Sequence, residues 1–589
     1  MTMKHNMRGK DAAPEQTVAR IRKILEDNGF DSIYEQQPPQ LDTCYCSRVT
    51  VHDFGSNGKG FSPEFCQASG YAELMERMQN RVLSISSRRD SDYYRNMNAW
   101  FPTDTLLGQV HPCVQNIKDQ LEHSAEQMGF DDPAEAVRQM LCSWSVDGKY
   151  VMRPFYSVSE KREVMLPVTF LQTFSGTNGM AAGNTLEEAL VQGLSEILER
   201  YATMQILYRG LTPPEIPREY LQEHCPKIFD LIGVIEQDPK YRVTVLDASL
   251  GQQIPCVASV IYNTQTLTAG VKFGAYPEME IALERCFSES MQGWVLEDFT
   301  KTGVITYAPM NRSSWTNLLN IMKVSKGIYP ASLFVGEESW SFCPWQSQGG
   351  RSNKALLQDM IWLIESMGSQ IYTQDVSFMG FPSVYIYVPG MSEISPVDML
   401  WMQECEMKRD AQYLFADLEQ VGKPEAQKLL NIARIKQRSY MDNVINQLAC
   451  ASFQQSMPGG ADEMGFLAAI CCLYLGKDRE ALSYLAGIPR TPYIKAVQHY
   501  VSACANGMSQ QQAGKLLHKL ADPELADLVC QQFADREKIL PKVYPPCNGN
   551  CRACTVACNQ RRLQQDYEKL LQLEKDRNLG TENIKALFC

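Results

Sequence analysis

The sequence predicts an α/β or α+β body with helices packed on sheets, followed by an all-helical region. Strand-like and helix-like segments alternate from about Lys10 to Trp401, and nearly everything after Trp401 reads as helix. The composition is that of an ordinary folded chain, with 21% charged and 44% apolar residues among 589. A chain of this length holds several domains with formed cores. We divide it into an α/β domain at 1–401, a helical domain at 402–540, and a cysteine-bearing tail with a charged helix at 541–589.

In chain order, a first helix is expected from Pro14 to Asn28. Next comes a strand within "TCYCSRVTVHDFG" (Thr43 to Gly55), and then a helix from Cys66 to Arg81. A long helix is expected from Thr185 to Tyr208 and another from Met279 to Gly293. "YRVTVLDASL", "PCVASVIYN" and "SVYIYVPG" carry β-branched and aromatic residues and end at turn formers, so they read as strands. Thr302 to Gly350 is rich in Ser, Gly, Pro and Trp with weak periodicity, and reads as loops, one of them covering a site. Beyond Trp401, "FLAAICCLYLGKDREALSYLAG" has a Leu-Gly-Lys turn between two amphipathic halves. It resembles one tetratricopeptide-type unit, and a generic helical hairpin fits as well.

Several function classes are excluded. A net charge of −12 argues against a nucleic-acid binder, which would show a basic patch. No apolar run approaches the roughly 18 residues of a membrane span, and "FLAAICCLYL" suits a buried helix. The amino terminus has no apolar signal region, and many of the twenty cysteines sit in apolar runs such as Cys471-Cys472. Reduced thiols in the cytoplasm are the expectation. "GSNGKGFS" lacks phosphate-loop spacing, no Gly-x-Gly-x-x-Gly opens a helix, and the seven histidines form no His-Glu-x-x-His.

The chemistry concentrates in "GMAAGNTLEEALVQGLSEILER" (Gly179 to Arg200). Asn184 and Thr185 can cap this helix, and Leu190, Leu194 and Ile197 form its apolar stripe. At about 100° per residue, Glu188, Gln192, Glu196 and Glu199 fall within roughly 80° of arc beside that stripe. Upstream, "NGKGFSPEFCQASGYAELMER" repeats the design: Cys66 stands seven before Glu73, as Ala189 stands seven before Glu196, and both stretches close on Glu-x-x-Glu-Arg. A third helix, "PEMEIALERCFSESMQG", places Ala282 seven before Glu289, with Arg285 and Gln292 on the same face.

Hard cations such as magnesium take oxygen ligands and keep contact with substrate phosphates. Carboxylates three residues apart on neighbouring helices can hold such ions, and the interleaved Arg77, Arg200 and Arg285, with Lys10, Arg20 and Lys59, can meet phosphate oxygens. The plainer alternative is a mutually satisfied Glu–Arg network between helices.

These segments resemble the YcaO family. "NGMAAGNTLEEALVQGLSEILERY" with "PPEIP", "NGKGFSPEFCQASGYAELMER", "ALERCFSESMQG", "VPGMSEISPVDMLW" and the opening "GKDAAPEQTVARI" match its motifs in order, over roughly residues 8 to 401. Within the family the chain is most similar to the bacterial branch associated with methylthiolation of a small-subunit ribosomal protein. The resemblance implies a YcaO-type ATP-binding fold and an enzyme that phosphorylates a peptide-backbone amide, releasing ADP and phosphate. It implies ATP contacts from Lys10, Thr17, Arg20, Lys59, Asn184, Glu188, Arg200, Arg285 and Gln292. Magnesium would fall to Glu73, Glu76, Glu188, Glu196, Glu199 and Glu289. A peptide or protein substrate, a partner modification enzyme and a homodimer follow from the same resemblance.

Two rival readings stand beside an accessory role in methylthiolation. One is a nucleotide-binding scaffold that recruits a sulfur-handling or radical partner. The other is a thioamide- or azoline-forming maturase, although the end "ENIKALFC" lacks the proline-rich terminus of azoline-forming relatives. The tail also departs from the branch. Cys547, Cys551, Cys554 and Cys558, at spacings x3, x2 and x3, can hold zinc or an iron–sulfur cluster, or stay free thiols.

Overall fold

The computed structural model describes residues 9–41, 43–52, 54–82, 103–108, 111–112, 121–122, 125–126, 131–144, 149–310, 315–345, 350–394, 414, 418–434, 463–488, 490–544, 560–577 and 579–588. Two units emerge. The first comprises Met1–Leu83, Ala99–Asp398 and Lys569–Cys589, and the second Ser84–Asn98 and Met399–Glu568.

The first unit is a mixed α/β body. It opens with helix α1 (Pro14–Asp27), which buries Val18, Ile21 and Leu25 on one face. Strands β1 (Ser32–Gln36), β2 (Tyr45–Val51) and β3 (Phe54–Gly60) form an antiparallel sheet in that order. The turn after β3 leads into α2 (Pro63–Gln79), with Ser62 accepting from the Phe65 amide at 3.3 Å and Pro63 in the first turn. Gly58 of β3 lies against the Cys66 carbonyl, and a Cβ there would stand 2.9 Å from the Gly70 amide nitrogen. Helix and strand therefore approach more closely than any side chain would permit.

A second sheet has six strands: β4 (Thr105–Gly108), β5 (Lys149–Ser157), β6 (Arg162–Pro167), β7 (Met180–Ala182), β13 (Tyr372–Asp375) and β14 (Ser383–Tyr387). Its order is β4-β5-β13-β14-β7, with β6 pairing β5. From β7 the chain enters α3 (Leu186–Arg209), which lies on β14 and β7. Leu190, Leu194, Ile197, Leu198, Ile206 and Leu207 are all at most 1% exposed, and each contributes roughly 1.5–3 kcal/mol of burial.

The third sheet runs β12-β11-β10-β9-β8, from β8 (Tyr241–Asp247), β9 (Cys256–Asn263), β10 (Thr268–Ala275), β11 (Gly303–Thr306) and β12 (Gly327–Pro330). Helix α4 (Met279–Ser290) packs on β9 and β10. The loop reading of Thr302 to Gly350 is corrected here. β11 and β12 pair in parallel through a crossover that contains the helix Trp315–Val324. Four-residue strands are too short to show a period, and their order comes from packing of Tyr329 and Ile321, both nearly fully buried.

The second unit is helical among its described residues. Helices Glu463–Tyr474 and Asp478–Ala486 form the expected hairpin, turned at Gly476 with φ +75°. Phe466 to Leu473 are all buried in a core of their own with Leu429, Leu485, Val497 and Val529. No described helix is long and apolar enough to cross a membrane.

Residues from Lys569 onward return to the first unit. The Lys569 ammonium sits 4.5 Å from the Phe30 ring centroid and donates to the Gly29 carbonyl at 3.2 Å. Buried Glu574 pairs with fully buried Arg81. Asn583 donates to Asp375 at 2.9 Å, and the Phe588 ring stacks on Tyr156.

Candidate functional site

A cavity of about 730 Å³ opens within the first unit between the start of α1, β3, α2, α3, β10 and α4. Glu73, Glu76, Glu188, Glu196, Glu199 and Glu289 all line it, as do Lys10, Thr17, Lys59, Asn184, Arg200, Arg285 and Gln292. Arg20 does not. It is exposed at the rim, donates to the Asn184 and Gly380 carbonyls at 3.1 and 2.9 Å, and lies over the Phe381 ring. Its visible part is to hold the loop that presents Phe381 to the cavity.

The start of α3 is tied to the segment before α1. Thr185 caps the helix by accepting from the Glu188 amide at 3.1 Å and donates its hydroxyl to Asp11 at 2.5 Å. The Glu188 carboxylate accepts from the Asp11 amide at 2.8 Å and from the Asn184 side chain at 3.0 Å, with the Lys10 ammonium 3.4 Å away. Thr17 donates to the Asn184 side-chain oxygen at 2.8 Å.

Deeper in, Arg77 reaches Glu73 at 3.5 Å and Glu76 at 3.4 Å, and Arg200 reaches Glu196 at 2.8 Å. Arg285 donates through one terminal nitrogen to Gln192 at 2.8 Å, while its buried Nε has no protein partner. Glu199 accepts from the Ala275 amide at 3.2 Å. Glu289 receives Lys59 at 2.6 Å and Lys272 at 2.8 Å. The Glu–Arg pairing of the plainer alternative is thus present, yet the pairs from three helices also converge on one space.

Counting Glu284, seven glutamates line the cavity against six cations: Lys10, Lys59, Arg77, Arg200, Lys272 and Arg285. A near-balanced lining suits a ligand that brings charges of both signs, as a metal phosphate does. Burial pushes the Glu76 carboxyl up to about 8; Arg77 opposes this and Glu196 and Glu73 add to it. Burial pushes Glu199 up to about 7, with Glu289 adding and Arg285 and Lys272 opposing. Burial acts on Glu289 too, but the Lys272, Lys59 and Arg285 charges outweigh it and hold that carboxyl well below the usual range. Among the described residues no three His, Cys, Asp or Glu side chains gather tightly enough to hold a metal by themselves. The oxygen-only donor set fits an ion that completes its shell with water and phosphate.

Glu76 and Glu199 ionise less readily in the folded chain than in the unfolded one. Their neutral forms therefore favour folding, and that advantage is lost as pH rises through about 7 and about 8. The melting temperature of the metal-free protein is expected to fall between about pH 5 and about pH 8. In Glu76→Gln and Glu199→Gln that slope should flatten, and a wild-type melting temperature flat across this range would contradict the assignment.

Sequence reasoning missed Lys272, on β10. Its one signal was a lysine inside "TAGVKFGA", an otherwise apolar strand. Cys547, Cys551, Cys554 and Cys558 lie outside the described residues.

Residues 57–392, more than half of the chain, match the family model described as YcaO cyclodehydratase, ATP- and Mg2+-binding. Over 407 residues, 68% of either chain, the sequence is 27% identical to the Escherichia coli ribosomal protein S12 methylthiotransferase accessory factor YcaO. Over 435 residues, 71% of either chain, it is 28% identical to an uncharacterized protein of Haemophilus influenzae. Among solved structures it is similar to a heterocyclase in complex with substrate and cofactor, at 18% identity and a TM-score of 0.46, covering 65% of this chain and 53% of that one. It is also similar to YcaO from Methanopyrus kandleri bound with AMPPCP and Mg2+, at 16% identity and a TM-score of 0.36, covering 65% and 92%. Those low scores leave membership resting on the sequence match, which is sufficient: the chain belongs to the YcaO family.

Proposed function

We propose that this chain binds ATP with magnesium in the cavity and uses it to phosphorylate a backbone amide of a peptide or protein. The observation that supports this most is the shared register of α2, α3 and α4, whose glutamates and arginines meet around one space. The orphaned Arg285 Nε adds a buried donor facing no protein acceptor, which suits a phosphate oxygen.

Glu73, Glu76, Glu196 and Glu199 line the cavity and would hold magnesium, with Glu188 at its α3 end. Bound magnesium would neutralise phosphate charge and orient the transferred group. Arg77 and Arg200 keep the carboxylates in register, and Lys10 and Thr17, fixed by Glu188 and Asn184, would hold the nucleotide from the amino-terminal segment. The amide oxygen takes the terminal phosphoryl group as ADP leaves. A nucleophile then adds to the amide carbon, and phosphate departs with the former amide oxygen. An amide oxygen is otherwise a poor leaving group, which is the reason for spending ATP.

By analogy with the Escherichia coli relative, the substrate is a segment of a small-subunit ribosomal protein, modified with a partner enzyme. Slow phosphate release by the protein alone, rising several-fold with a ribosomal protein S12 peptide, is the expected result. No ATP turnover under any peptide would overturn the enzyme reading. The scaffold alternative draws on the second unit, whose described helices have a core of their own. A homodimer, domain limits at 401 and 540, and zinc or an iron–sulfur cluster at the four tail cysteines belong to the same proposal. Elemental analysis of purified protein distinguishes those metals from free thiols.

A further inference from the structure

We propose that Lys59 and Lys272, joined through the carboxylate of Glu289, form the grip on the phosphate end of the ligand, and that Glu289 positions them instead of binding metal. This rests on the cavity being a nucleotide site.

The three side chains come from three elements: Lys59 from β3, Lys272 from β10 and Glu289 from α4. One carboxylate oxygen of Glu289 faces Lys59 at 2.6 Å and the other faces Lys272 at 2.8 Å. Lys272 and Glu289 are almost closed to solvent, with side chains 9% and 10% exposed. Both Glu289 oxygens already face an ammonium, so a magnesium ion there would bring a third cation to one carboxylate. Neither Glu76, which meets Arg77 at 3.4 Å, nor Glu199, which accepts from the Ala275 amide at 3.2 Å, is held between two ammoniums in this way.

The lysines, in turn, have capacity left. Each ammonium carries three donors, and Glu289 takes one from each. Two ammoniums side by side repel, so the carboxylate between them is what keeps them adjacent. Arg285, one turn before Glu289 on α4, adds its unpartnered buried Nε to the same cavity. Three cationic groups with spare donors fit an oligophosphate, whose oxygens need several donors at once. Division of labour follows. The α2–α3 carboxylates face the metal, while the β3–β10–α4 trio faces phosphate.

Calorimetry with inorganic tripolyphosphate in EDTA reads the trio without metal, and AMPPCP titrated at graded magnesium reads the carboxylates. In Lys272→Met, tripolyphosphate binding in EDTA is expected to weaken about tenfold or more, and Lys272→Arg to recover most of it. Glu289→Gln should weaken tripolyphosphate binding while leaving the magnesium concentration for half-maximal AMPPCP binding in place. Glu196→Gln should raise that concentration several-fold. Unchanged tripolyphosphate binding in a folded Lys272→Met protein, or a magnesium requirement that moves in Glu289→Gln as it does in Glu196→Gln, would overturn the proposal. Wild-type protein that binds tripolyphosphate but no AMPPCP would count against the nucleotide reading and leave the lysine grip standing.

Discussion

Replacing Glu196 and Glu199 together by alanine is expected to remove magnesium-dependent nucleotide binding, weakening it about a hundredfold or more, with ATP turnover lost in parallel. Both residues sit on the cavity edge of α3, one turn apart, with Glu188 on the same helix at the cavity's other end. Glu199 is carried at the expense of stability, because burial and Glu289 disfavour its charge. Its removal should therefore leave the melting temperature of the ligand-free protein unchanged or higher. Glu196 gives up only its 2.8 Å pair with Arg200, a helical i,i+4 contact of about 0.5 kcal/mol. The diagnostic pair is a preserved melting temperature without ligand and a vanished rise with AMPPCP and magnesium. A variant that still melts higher with the nucleotide would remove these carboxylates from the site.

Gly58→Val should damage the first unit severely, costing about 3 kcal/mol and several degrees of melting temperature. A Cβ at this position meets the Cys66 carbonyl and the Ser47 hydroxyl, and stands 2.9 Å from the Gly70 nitrogen. Two of those atoms are backbone, so neither can step aside by changing rotamer. Relief requires α2 to lift from β3, and α2 carries Glu73 and Glu76. Loss of nucleotide affinity should accompany the loss of stability, and Gly58→Ala should show both to a smaller degree. Thermal melts and AMPPCP titrations of the two variants check the order, and an unaltered Gly58→Val protein would refute the close-packing argument.

What the residues made legible was whatever repeats at short range. Glu188, Gln192, Glu196 and Glu199 share one edge because helical periodicity puts them there, and the same spacing in α2 and α4 turns three isolated helices into one register. Lys272 was illegible, since a lone lysine in a strand does not announce the carboxylate it meets on α4. β11 and β12 were hidden because four residues cannot display a period, and their pairing depends on neighbours far away in sequence. The two carbonyls that Arg20 meets, of Asn184 and Gly380, were illegible too, since they lie 164 and 360 residues away in sequence. The cations that arrive opposite Glu289 were equally illegible, because Lys59 and Lys272 reach it from two separate strands.

The return of the chain from Lys569 onward bears on biosynthesis. A bond such as Lys569 to Gly29 joins positions 540 residues apart, so the first unit cannot acquire its last contacts until the polypeptide for the second has emerged. Half-made chains would leave the Phe30 ring, Arg81 and Tyr156 without their covers during that interval. Closure over so long a loop is slow, and nascent molecules would be exposed to proteases and to one another until the final helices arrive. A fragment ended at residue 401 would be held permanently in that immature condition.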